Sequence, residues 1–96
     1  MSTSIQRRQI AHRRLMSALL AVADGADGST IHTSFAAARV ARDLGCCASA
    51  ARRLLGDLVT EGHLITSIAS GRGHVSLTAT GETLADLTRR YRKAAA

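Results

Sequence analysis

Apolar residues recur along this chain at two spacings, and the change between them separates a helical part from an extended part. Leu15, Met16, Leu19, Leu20, Val22 and Ala23 share one face at helical spacing. With Ser4 placed as a cap, they predict a helix from Ile5 to Ala23. Asp24-Gly25-Ala26-Asp27-Gly28-Ser29 reads as a turn. It has a faint likeness to a calcium loop, but its acidic positions are too few and no closing Glu follows, so a solvated turn is expected. Thr30 to His32 reads as a short strand. Ser34 caps a second predicted helix, Phe35 to Leu44, which Gly45 ends. A third, Ala48 to Glu61, carries Ala51, Leu54, Leu55, Leu58 and Val59 as a core stripe and stops at Gly62. Gly56 inside it costs about 1 kcal/mol against Ala unless close packing requires it.

After Gly62 the period shortens. Leu64 to Ser70 and His74 to Thr78 are β-rich runs around Gly71-Arg72-Gly73, which predicts a hairpin with Arg72 at its tip. Thr78 or Thr80 opens a last helix reaching Lys93, with Leu84, Leu87 and Tyr91 as its apolar stripe and Asp86 paired with Arg90. The fold class is therefore mainly α with a small β-hairpin, in the order α-β-α-α-β-β-α. No repeat or linker interrupts it, and residues 1–96 are expected to form one domain.

Composition narrows the function. Aromatics are 2% of 96 residues, Phe35 and Tyr91 alone, so the core must be built from aliphatic side chains and close-packed Ala. The net charge of +6 points to a polyanionic partner, nucleic acid before membrane. Every basic residue except Lys93 is Arg, which grips phosphate bidentately and reads guanine, although a GC-rich genome gives the same bias. No apolar run approaches the ~20 residues of a membrane span. Arg7, Arg8, Arg13 and Arg14 before an apolar run ending Ala21-Val22-Ala23 have the order of a secretion signal. Ser17 interrupts that run and its spacing suits an amphipathic helix, so a cytoplasmic chain with a folded first helix is expected. Cys46 and Cys47 are adjacent, which rules out a disulfide framework. His32, His63 and His74 lack metal-ligand spacing, and His12 falls on the apolar side of its helix as a core or interface residue. Nucleophile–base pairs, paired carboxylates and phosphate loops are missing, so no enzyme, no cofactor and no metal are expected.

Two stretches carry a family resemblance. Val40-Ala41-Arg42-Asp43-Leu44-Gly45 followed by Ser49-Ala50-Ala51-Arg52-Arg53-Leu54-Leu55 resembles the two helices of a helix-turn-helix. Val75-Ser76-Leu77-Thr78-Ala79-Thr80-Gly81-Glu82-Thr83-Leu84 resembles the LTxxGxxL sequence that closes the wing in MarR-type and PadR-type regulators. The resemblance covers residues 30 to 85 and implies a winged helix-turn-helix protein that binds double-stranded DNA. It also implies a homodimer on a near-palindromic site, with the third helix in the major groove and the wing on phosphate or the minor groove. Carried over by position, Ala48, Ser49, Ala50, Arg52 and Arg53 form the reading end of the third helix. Arg72 is then the wing contact, and Arg39 and Arg42 reach backbone phosphate.

MarR proteins are longer, with more elaborate dimerisation helices and several Arg in the wing. This wing has only Arg72, and little room is left for a ligand pocket, so a minimal, ligand-independent repressor is the nearer expectation. The Arg-rich ends either touch phosphate or belong to dimerising helices, through Ile5, Ile10, Leu84, Leu87 and Tyr91. Three other readings stay open. One is a winged-helix module that binds protein, and another is a plasmid or phage segregation or replication factor. The third is a thiol- or metal-responsive repressor acting through Cys46 and Cys47, with His74 as a further ligand.

Overall fold

The computed structural model describes residues 2–69 and 71–95. Helix α1 spans Ser2–Gly25, strand β1 Thr30–His32, helix α2 Thr33–Leu44 and helix α3 Ala48–Thr60. Strands β2 (Leu64–Ala69) and β3 (Arg72–Leu77) follow, and helix α4 runs over Ala79–Ala95. The predicted order of elements is therefore present. The strands form one antiparallel sheet in the order β1-β3-β2, with Ile31 opposite Val75 and Thr66 opposite Val75 from the other side. No helix among the described residues is long and apolar enough to cross a membrane.

Small side chains let the helices approach one another. Ala18 and Ala21 of α1, Ala36 and Ala37 of α2, Ala51 of α3 and Ala85 of α4 are all buried, among Leu19, Val22, Val40, Leu58, Leu64 and Val75. The α3 stripe is buried as predicted at Ala51, Leu54, Leu55 and Leu58, with Val59 partly covered. Gly45, in the left-handed region at φ 64°, stops α2, and the Cys46 amide donates back to the Ala41 carbonyl over 3.1 Å. Gly62, at φ 82°, stops α3 the same way, the His63 amide reaching the Leu58 carbonyl over 2.9 Å.

The two ends of the hairpin are tied together at this second stop. The Thr78 hydroxyl donates to the Gly62 carbonyl over 2.6 Å and accepts from the Gly81 amide over 3.0 Å, while the Thr78 amide donates to the His63 carbonyl over 3.1 Å. Thr78 is thus the cap of α4 as well as the link to the end of α3. Gly81 lies against the His63 carbonyl, and a Cβ there would overlap that oxygen.

Several expectations need correction. α1 begins at Ser2 and ends at Gly25, so Ser4 lies within it, because the exposed residues beyond the core stripe continue the helix. α2 begins at Thr33 after His32, which makes no side-chain cap bond, so Ser34 is not the cap. α3 ends at Thr60, with Glu61 as its cap. The hairpin turn is tighter than predicted. Ala69 pairs with Arg72, so Arg72 and Gly73 belong to β3, and Gly71 takes φ 74°. Ser70, the expected end of the first strand, lies outside the described residues. α4 buries Gly81 and Ala85 and partly buries Leu84 and Thr88, while Leu87 and Tyr91 remain 54% and 77% exposed. Asp86 pairs with Arg89 at 3.0 Å instead of Arg90, and the other arm of that guanidinium holds Asp24 at 2.7 Å.

Gly56 of α3 and Gly81 of α4 have opposite surroundings. Nothing lies within 4 Å of a Cβ built on Gly56, whereas Gly81 abuts backbone. Gly56→Ala should stabilise the fold by about 0.5–1 kcal/mol. Gly81→Ala should cost about 1–3 kcal/mol or more, because backbone cannot give way as a flexible side chain can. Thermal unfolding checks both, with shifts of roughly 4–8 °C per kcal/mol in opposite directions.

Candidate nucleic-acid interface

The stripe that buries α3 also decides what it presents. With Ala51, Leu54, Leu55 and Leu58 turned inward, Ala48, Ser49, Arg52, Arg53 and Gly56 are left exposed, and Ala50 is half-buried at the border. Neither Arg52 nor Arg53 takes part in an ion pair among the described residues. The first turn of α3 carries no acid, so its exposed amides and two guanidinium groups give one end of one helix a positive field. No close packing accounts for Gly56, since nothing lies within 4 Å of a Cβ built on it. It lies in the middle of the exposed face with open space before it, leaving bare backbone where a close-fitting surface can approach.

Cys47 stands at the cap position of α3 in extended conformation, without a side-chain cap hydrogen bond of ordinary geometry. Its Sγ faces the Ala50 amide and lies 3.7 Å from the Ser49 hydroxyl. The Ala50 amide, then the Ser49 hydroxyl, hold the thiol below its ordinary range. Cys46 is half-buried against the core, and Cys47 is exposed.

Arg39 and Arg42 both turn to Asp43, at 3.1 Å and 3.4 Å. The Arg39 hydrogen bond, aided by Arg42, holds the Asp43 carboxyl below its usual value. Arg39 is further committed, its stem lying over Gly25. Arg42 remains largely exposed, at 70%. Arg72 is exposed at the first position of β3, whose next residue, Gly73, sits against Thr33 in the first turn of α2. The structure therefore joins Ser49, Arg52 and Arg53 on one face and places Arg39 in a local ion pair.

The histidines divide. His32 and His74 oppose each other across β1 and β3, their ring centroids 4.3 Å apart, and Phe35 meets His32 edge-on at 5.5 Å. His12 is exposed, not core. Among the described residues no three His, Cys, Asp or Glu side chains gather closely enough to hold a metal ion.

No protein-family profile and no curated protein matches this chain. Solved structures do match its fold. Sso10a-2, a DNA-binding protein from Sulfolobus solfataricus, superposes with a TM-score of 0.62 at 19% identity over 81% of this chain and 77% of its own. A mutant of Lactococcus lactis ZitR in apo form gives 0.67 at 16% identity, over 98% of this chain and 67% of its own. The SSV1 protein F-93 gives 0.63 at 18%, over 82% and 90%. The fold is a winged helix-turn-helix: α2 and α3 are the helix-turn-helix, and the β2–β3 hairpin is the wing.

Alkylation at neutral pH checks the thiol assignment. Iodoacetamide should modify Cys47 well before Cys46, as followed by peptide mass spectrometry, and Cys47→Ser should remove the fast site. Equal rates at the two thiols would contradict it.

Proposed function

We propose that this chain is a sequence-specific double-stranded DNA-binding protein, a homodimeric transcriptional repressor akin to a minimal MarR-type or PadR-type regulator. The observation that carries the reading is the exposed face of α3. Ser49, Arg52 and Arg53 lie on one exposed side of its N-terminal half, the bare backbone of Gly56 continues that side, and neither arginine is ion-paired among the described residues. Two adjacent guanidinium groups on the exposed N-terminal half of a helix suit guanine edges and phosphates of a major groove. The fold likeness to Sso10a-2, itself a DNA-binding protein, supports the same reading.

On this proposal Ala48, Ser49, Ala50, Arg52 and Arg53 line the base edges, and Arg72 meets the flanking strand. Arg42 contacts phosphate, while Arg39 does so only by leaving Asp43. Residues 1–96 act as one domain whose first and last helices dimerise, which sets two reading helices about 34 Å apart on a near-palindromic site. A second reading rests on Cys47. An exposed, acidified thiol at the cap of the reading helix suits a repressor whose DNA contact is blocked by thiol modification.

Selection of bound sequences from random duplex DNA supplies the site, and fluorescence anisotropy tests it. Replacing Arg52 and Arg53 with Ala should cost about 1–3 kcal/mol of affinity each and leave the melting temperature unchanged, because both are exposed. The native chain's affinity should fall steeply with salt, log K dropping by about 0.9 per tenfold rise in salt for each phosphate neutralised. A double variant that binds the selected site with native affinity would overturn the assignment. A native chain that binds no duplex at moderate salt would favour the protein-binding module instead.

A further inference from the structure

The face by which α1 packs into the core does not stop where the core does. Ile5, Arg8, His12 and Leu15/Met16 follow one another at three- and four-residue spacing into Leu19. Met16 and Leu19 are buried, yet every residue from 4 to 14 is exposed, with Ile5 59% uncovered. A helical arm of that length gains little from propensity and much from covering one face.

Two grooves flank the stripe where it leaves the body. One, of about 770 Å³, runs between α1 and α4 over Met16, Leu87 and Tyr91. The other, of about 430 Å³, runs between α1 and α3 past Leu54, Asp57 and Glu61. Asp57 and Glu61 lie one turn apart, and neither is ion-paired among the described residues. The arm carries Arg7, Arg8, Arg13 and Arg14 and no acid. The chain thus has a basic apolar stripe without cover and, beside its root, an apolar floor of Met16, Leu87 and Tyr91 edged by Arg13, Arg90 and Arg92, with the Asp57 and Glu61 carboxylates facing Arg14 in the second groove.

We propose that the arm of a second copy fills these grooves, the two α1 helices lying antiparallel across a twofold axis level with Ile10. The stripe has the symmetry this needs, since positions 5, 8, 12 and 15 are spaced evenly about residue 10. Ile5 of each copy then meets Leu15 and Met16 of the other, beside Leu87 and Tyr91. Arg8 comes level with His12, within reach of Asp57 and Glu61. Each contact is made twice. The inference rests on the dimeric reading above and names the surfaces that meet.

Charge reversal tests it on the full chain, by sedimentation equilibrium with circular dichroism as a check on folding. Arg8→Glu should raise the dimer dissociation constant at least tenfold, and so should Asp57→Arg with Glu61→Arg. Combining all three substitutions should bring it back to within about threefold of native. A dimer indifferent to Arg8→Glu, or a combination no better than its parts, overturns the arm pairing and leaves the dimeric reading standing. A native chain monomeric at every concentration overturns both. Loss of duplex affinity in Arg8→Glu with unchanged self-association assigns the arm to nucleic acid and likewise overturns the pairing.

Discussion

Everything after α3 hangs on the junction between Gly62-His63 and Thr78-Gly81. Two carbonyls at the end of one helix receive the hydroxyl and amide of a single threonine, and that hydroxyl also caps the next helix. These bonds close the base of the hairpin, so β2 and β3 leave and return at one point. They also bring α4 so close to the His63 carbonyl that only glycine fits at position 81. The base of the wing is thereby tied to the end of the helix before it.

The other half of the architecture follows from the scarcity of large side chains. With alanines at the helix contacts, α1, α2, α3 and α4 pack at short range and bury no polar or charged residue; among the described residues the Nδ1 of His63 is the one buried side-chain nitrogen or oxygen without a hydrogen-bond partner. Charge is left almost wholly on the outside. It is not spread evenly: Asp24, Asp43 and Asp86 neutralise Arg39, Arg42 and Arg89, while Arg52 and Arg53 form no ion pair among the described residues.

Much of this was legible in the amino-acid sequence wherever a period and a stop signal agreed. The α3 stripe from Ala51 to Leu58, the left-handed Gly45 and Gly62, and the change to β spacing after Gly62 each rest on local chemistry and are present in the structure. What could not be read depended on partners distant in the chain. α4 turns Gly81 and Ala85 inward instead of Leu87 and Tyr91, because its angle is set by the Thr78 junction and not by its most apolar edge. Arg89 prefers Asp86 because the same guanidinium also reaches Asp24, 65 residues away. At the candidate interface, the exposure of Ser49, Arg52 and Arg53 follows from the α3 stripe, whereas their choice as DNA contacts is what the helix-turn-helix resemblance implies. The withdrawal of Arg39 onto Asp43 and the open space at Gly56 emerged only in three dimensions.

No glycine or proline interrupts α1 between Ser2 and Asp24, and the helix is about 36 Å long at 1.5 Å per residue. Its buried half is fastened to α2, α3 and α4 at once. Such a rod has no hinge at which its free end can swing independently of the rest. It acts as a lever and not as a tether, so a force on Ile5 turns the whole body packed around its buried half. The pitch of that body is governed by the angle at which α1 crosses its neighbours, and not by the length of any loop.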